Sequence, residues 1–157
     1  MQMNQTRPWE WEPPAFLNRV MALLLRITVL HRIISGGILL LTYTGRKSGK
    51  RYSLPVGYWQ EGKTVTLLTK RFHSWWHNFE QAAPVTVRIQ GKNFEGEAHV
   101  LTEETIIVPL IAHLVEGRER QAQIWQIRLG DDHKPNMDDV RATARKVVVI
   151  QIALWLS

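Results

Sequence analysis

The chain has 157 residues, 45% of them hydrophobic, and a formal net charge of +6, enough apolar material for one domain with a buried core. It contains no cysteine, which excludes disulfides, thiolate metal sites and a cysteine nucleophile, and agrees with a reducing cytoplasm. Lys and Arg total 20 against 14 Asp and Glu, an excess that asks for an anionic partner: nucleic acid, anionic lipid or a phosphorylated cofactor.

Residues 1–14 are polar, with Glu10 and Glu12 beside Trp9 and Trp11, and read as a leader instead of a secretory signal. Pro13-Pro14 allows a helix to start near Ala15 and run to about Ile34, where Ser35-Gly36-Gly37 ends it. Arg19, Arg26, His31 and Arg32 interrupt the apolar stretch from Phe16 to Leu41, so a transmembrane span is not expected. The helix reads as an amphipathic one packed on the domain, with peripheral contact to an anionic membrane as its alternative. No linker or repeat follows, and residues 15–157 read as a single domain.

From Ile38 the pattern is that of strands. Ile38 to Thr44 is a continuous apolar and β-branched run, as expected of a strand buried on both faces. Gly45-Arg46-Lys47-Ser48-Gly49-Lys50 is a turn, after which Tyr52, Leu54, Val56 and Tyr58 alternate along one face of a strand. Glu61-Gly62 turns into a strand over Thr64 to Thr69, and Ser74 to Glu80 reads as a short helix with Ser74 at its N-cap. Val85, Val87 and Ile89 mark the next strand, which turns at Gln90-Gly91-Lys92 into Asn93 to Val100. There Phe94, Ala98 and Val100 share one face. Thr102 is the expected cap of a helix that Pro109 should kink or delay, and Gln121 to Leu129 fits helix or strand. Asn136 caps a helix over Met137 to Lys146, and Val147 to Trp155 is a buried strand returning to close a barrel begun earlier.

The densest chemical signal is the turn, which sets Arg46, Lys47, Lys50 and Arg51 around Ser48 between two glycines. Converging backbone N–H groups and cations make such a turn an anion cradle, or else it is a solvated hairpin. It is not a nucleotide P-loop, because the glycine spacing is one residue short and Arg51 follows Lys50. Lys70-Arg71 precedes Trp75-Trp76, adjacent indoles that cannot both enter one core, so one of them lines a cleft or both plug a barrel end. His73 and His77 lack a third ligand nearby, and the spacing supports no metal site.

Taken in order, these segments resemble the deazaflavin-dependent nitroreductase family. Leu39 to Lys50 is similar to its apolar run followed by Thr-Thr-Gly-Arg-Lys-Ser/Thr-Gly, with Pro55 at the family's following Pro. Trp75-Trp76-His77-Asn78-Phe79 is similar to Trp-Tyr-x-Asn-Leu, and Ala83 to Val87 to Asn-Pro-x-Val-x-Val. The resemblance implies an α+β split β-barrel of mostly antiparallel strands with an N-terminal helix and peripheral helices. It implies an oxidoreductase that uses the reduced deazaflavin coenzyme F-420, with FMN as the alternative cofactor. Hydride would pass to a small acceptor such as a quinone, enone or nitro compound. Carried over by position, Arg46, Lys47, Ser48 and Gly49 hold the anionic tail, Pro55 sits beside the ring, Thr69 and Lys70 match a Ser-Lys pair, and Trp75, Trp76 and Asn78 shape the wall. No catalytic residue is implied, although His73, His77 and Tyr58 are proton-donor candidates.

Two departures bear on activity. Arg51-Tyr52 stands where the family has Pro-Arg, and no tyrosine follows Tyr58, so the C-terminal tyrosines that cover the substrate in nitroreductases have no counterpart. That argues against nitro reduction. Split barrels also pair as homodimers, which one sequence leaves open. The competing expectation is a non-enzymatic basic barrel that binds single-stranded nucleic acid or an anionic membrane. Cations gathered in a turn, and not striped along a sheet, argue against nucleic acid.

Overall fold

The computed structural model describes residues 37–155. The leader, the helix expected over 15–34 and its membrane alternative lie outside the described residues.

Strand β1 (Ile38–Thr44) leads through the cationic turn to β2 (Arg51–Glu61), and Gly62 at φ +59° turns the chain into β3 (Thr64–Lys70). A 3-10 turn over Trp75–Phe79 precedes β4 (Ala83–Ile89) and β5 (Lys92–Leu101). Between these two strands Gln90 and Gly91 both have positive φ, 47° and 79°, the backbone of a two-residue hairpin whose twist matches the strands it joins. The last strand, β6 (Val147–Leu154), inserts between β3 and β5, giving a closed barrel in the order β1-β2-β3-β6-β5-β4. The late apolar run thus returns to the sheet as its composition requires. β1 pairs antiparallel with β2 and β4, as do β2 with β3 and β4 with β5.

By internal contacts the chain forms two compact units, one built from 37–67, 72–100 and 150–155 and the other from 68–71 and 101–149. In the first, Leu39, Leu41, Val65, Leu67, Val87 and Ile152 are fully buried, as strands with apolar residues at alternating or continuous positions demand. Phe94, expected on the face of Ala98, is 36% exposed at the start of β5 while Ala98 is buried. Gly96 is there for space. A Cβ at Gly96 would lie 2.5 Å from the backbone oxygen of Ala153, so β5 and β6 approach too closely for any side chain. Gly96→Ala is therefore expected to lower stability by about 1–3 kcal/mol, because the clash is with backbone and cannot be relieved by a rotamer change. Urea unfolding measures it, and an unchanged midpoint would mean that the two strands can part at no cost.

The second unit packs α1 (Glu104–Val115), α2 (Glu119–Ile124) and α3 (Met137–Lys146). Glu103, not Thr102, is the N-cap of α1, and it makes no side-chain cap bond. Pro109 lies inside this helix without ending it, exposed on the face opposite Ile107, Val108 and Ile111. Burial of that apolar face outweighs the backbone bond that proline forgoes. Asn136 caps α3 as expected, its side chain accepting from the Asp138 and Asp139 N–H groups at 3.1 Å each. Asp139 also receives the Arg128 guanidinium at 2.7 and 3.0 Å, and these bonds hold its carboxyl down at about 2.

Candidate functional site

The turn between β1 and β2 closes on itself. Gly45 donates to the Lys50 carbonyl at 2.7 Å and Gly49, at φ +67°, donates to the Gly45 carbonyl at 2.9 Å. Ser48 Oγ accepts from the Lys50 N–H at 3.2 Å and shares a hydrogen bond with the Tyr52 hydroxyl at 3.0 Å. A Cβ at Gly45 would lie 2.6 Å from the Tyr52 ring, so only glycine lets this ring lie across the turn. Tyr52 in turn stacks on Tyr43, whose burial raises its phenol well above the usual range, with the neighbouring Tyr52 adding to the effect. The Tyr that departs from the family's Pro-Arg is thus the brace of the turn.

The tryptophan segment is fastened to the turn by one side chain. Asn78 Oδ1 accepts from the Arg46 N–H at 2.8 Å, and its Nδ2 donates to the Trp75 carbonyl at 2.8 Å. Arg46 also donates through Nη1 to Glu80 Oε2 at 3.2 Å, and the other oxygen of that carboxylate meets His77 Nδ1 at 2.5 Å. The His77 hydrogen bond, and after it the Arg46 guanidinium, hold the Glu80 carboxyl below its usual range. Ser74 makes no side-chain cap bond, and the segment is a 3-10 turn in place of the expected short helix. Its inward anchor is Phe79, fully buried and edge-on to Tyr43 at 5.3 Å. Trp75 and Trp76 are both half-buried, Trp75 edge-on to Phe79 and Trp76 stacked on the His77 ring at 3.6 Å. Neither indole is fully buried, which agrees with the expectation that adjacent indoles cannot both enter one core.

The residues singled out in the sequence therefore fall into groups. Arg46, Lys47, Ser48 and Gly49 lie together on the exposed turn, and Asn78, Trp75 and Trp76 are brought beside it through Asn78 and Trp75. Lys47, Lys50 and Arg51 are exposed and, among the described residues, form no ion pair, whereas Arg46 is engaged by Glu80. Pro55 is half-buried in β2 opposite Leu40. Thr69 and Lys70 belong to the second unit, Thr69 buried within β3 and Lys70 exposed at its end. Glu80 was not legible as a site residue, since nothing in its neighbourhood of the sequence marks it as the partner of a cation 34 positions earlier. Three cations on a glycine-hinged turn, unpaired among the described residues, suit a ligand with several negative charges. The second unit carries a separate open cleft of about 700 Å³, lined by Ala122, Gln126, Ile127, Leu129 and His133 among others. It gathers no comparable set of unpaired cations.

The closed antiparallel barrel with its helices is of the split-barrel class, and it carries a cationic turn next to half-buried aromatics. A family model, described as F420H(2)-dependent quinone reductase, matches residues 25–115. The chain belongs to this family of F420-dependent reductases. Among solved structures, HutZ, the heme storage protein of Vibrio cholerae, is 11% identical, with a TM-score of 0.53 over 90% of this chain and 92% of that one. A Listeria innocua protein provisionally described as a pyridoxamine 5'-phosphate oxidase is 14% identical, with a TM-score of 0.52 over 89% and 94%. At such identities these two establish the fold alone. A search of curated proteins finds no match.

Proposed function

We propose that the chain transfers hydride from reduced deazaflavin to a quinone, with the turn of Lys47, Lys50 and Arg51 holding the cofactor's anionic tail. The observation that carries this reading is the contrast within the turn: one cation is engaged by Glu80 and three have no counter-ion among the described residues. Like charges crowded on one exposed turn repel, and a polyanion relieves that repulsion. When bound, the coenzyme supplies a carbon-bound hydride, so the protein's part is to position, orient and exclude water. Asn78 performs the positioning, since it ties the turn to the Trp75 carbonyl and so fixes the distance from the charge-binding end to the indole wall. Trp75 and Trp76 offer flat apolar surface beside that turn for a planar ring. Support for a quinone over a nitro compound comes from the family description and from the lack of any tyrosine after Tyr58. FMN, whose single phosphate offers fewer charges to three cations, is the weaker candidate.

Spectroscopic titration of the purified chain tests the reading. Oxidised deazaflavin is expected to bind at least ten times more tightly than FMN, with a Kd below about 100 μM. Equal affinity for the two, or no binding in that range, would overturn the assignment of the turn. Oligonucleotide binding with a steep salt dependence would instead favour the basic-barrel alternative.

A further inference from the structure

Glu80 is bonded through both of its carboxylate oxygens. One accepts from Arg46 Nη1 at 3.2 Å and the other meets His77 Nδ1 at 2.5 Å. All three residues belong to the first unit, and their side chains are between 41% and 46% exposed, so a dissolved ligand can reach them. The two arms are unequal. Charge-assisted N–H···O bonds usually span about 2.7–2.9 Å, so the Arg46 contact is long and the His77 contact short. His77 also acts more strongly than Arg46 in holding the Glu80 carboxyl below its usual range. The arm that opens more easily is the one to Arg46.

Opening it does not unmake the turn. Arg46 is fixed through its backbone, whose N–H donates to Asn78 Oδ1 at 2.8 Å, and Asn78 is fixed in turn to the Trp75 carbonyl at 2.8 Å. The guanidinium is a separate handle, a fork of N–H donors that Glu80 engages through a single nitrogen. A phosphate or carboxylate that takes this fork by two parallel bonds outcompetes one contact at 3.2 Å. Glu80 is not then left as a bare charge beside the ligand, because His77 still holds its other oxygen.

We propose that Glu80 is a resident counter-ion that occupies Arg46 until an anionic group of the cofactor displaces it, and that His77 retains the displaced carboxylate. This rests on the cofactor reading above and adds to it a fourth, conditional contact. Glu80 then sets specificity by charge. A ligand whose anionic groups are used up by Lys47, Lys50 and Arg51 leaves Arg46 with Glu80, whereas one with a group to spare takes Arg46 over. His77 is a positioning residue that acts only through Glu80.

Titration with oxidised deazaflavin at low salt tests this on wild type, Glu80→Gln, His77→Phe and the double variant. Glutamine keeps the size of Glu80 and removes its charge, and phenylalanine keeps a flat ring against Trp76 without Nδ1. Glu80→Gln is expected to bind about 3–5-fold more tightly than wild type, the scale of one exposed ion pair that no longer competes. His77→Phe should bind about 2–3-fold more weakly, since the carboxylate then falls back on Arg46. The double variant should match Glu80→Gln, because His77 has no charge left to hold. All three differences should fade at about 1 M salt, where the Debye length is about 3 Å. Unchanged or weaker binding by Glu80→Gln overturns the proposal and makes the carboxylate a strut of the 3-10 turn. A His77→Phe effect that is absent, or that persists in the double variant, overturns it as well. Tripolyphosphate, titrated by calorimetry on the same proteins, separates these failures from failure of the cofactor reading. The expected order with tripolyphosphate, without deazaflavin binding by any variant, would count against the cofactor and leave Glu80 in its role. Binding of neither probe overturns both.

Discussion

Replacing Lys47, Lys50 and Arg51 together by alanine is expected to weaken deazaflavin binding about 100-fold at low salt while leaving the fold intact. Each charge-assisted contact to a phosphate or carboxylate contributes roughly 1.5–3 kcal/mol when desolvated, and less on an exposed turn, so about 1 kcal/mol apiece is a fair allowance. Three of them give about 3 kcal/mol, or slightly more than two decades in Kd. The salt dependence is diagnostic. Wild-type affinity should fall as salt is raised through the range where the Debye length shrinks from about 30 to 8 Å, and the triple variant should barely respond. Chemical denaturation should differ by no more than about 0.5 kcal/mol, since these side chains are exposed and pair with nothing among the described residues. Arg46→Ala belongs to another class. Its guanidinium is shared with Glu80, so the substitution releases the carboxylate beside the turn as well as removing a cation. Equal cofactor affinity in wild type and triple variant would leave the turn a solvated hairpin.

Much of this arrangement was legible before any coordinates, and the exceptions have a common cause. Strands declared themselves through period and composition: the continuous run of β1, the alternation of β4, and the almost wholly apolar β6 all stand where those patterns place them. The α3 cap was legible because Asn136 stands two positions before a pair of acidic residues and acts within three positions of itself. Thr102 failed as a cap because the helix begins one residue later than its sequence signal, a choice made by burial of Ile107 and Val108 and not by the hydroxyl. At the site, the turn and the tryptophan segment were both visible as separate motifs. What joins them was not. Asn78 bonds across 32 positions and Glu80 across 34, and no local period encodes a pairing of that span.

Phe79→Ala is expected to cost about 3–5 kcal/mol, the range for removing a fully buried phenylalanine when the space cannot collapse. Collapse is hindered here because the ring is held edge-on by Tyr43 at 5.3 Å and by Trp75 at 6.2 Å, two large aromatics with their own fixed neighbours. The loss should not stay local. Phe79 is the only fully buried member of the 3-10 turn, so without it the segment is held to the cationic turn only by the exposed bonds of Asn78 and Glu80 to Arg46. A weakly held Asn78 means a turn and an indole wall no longer fixed in separation, and the entropy of ordering them is then met from cofactor binding energy. Deazaflavin affinity should therefore fall about tenfold although residue 79 touches neither the turn's cations nor solvent. Phe79→Leu, which restores most of the volume, should recover the greater part of both losses. Urea unfolding and cofactor titration on the same preparations measure the pair of effects together. A variant that loses stability but binds cofactor as wild type does would show that the wall and the turn are positioned independently, and that Asn78 does not set the geometry of the site.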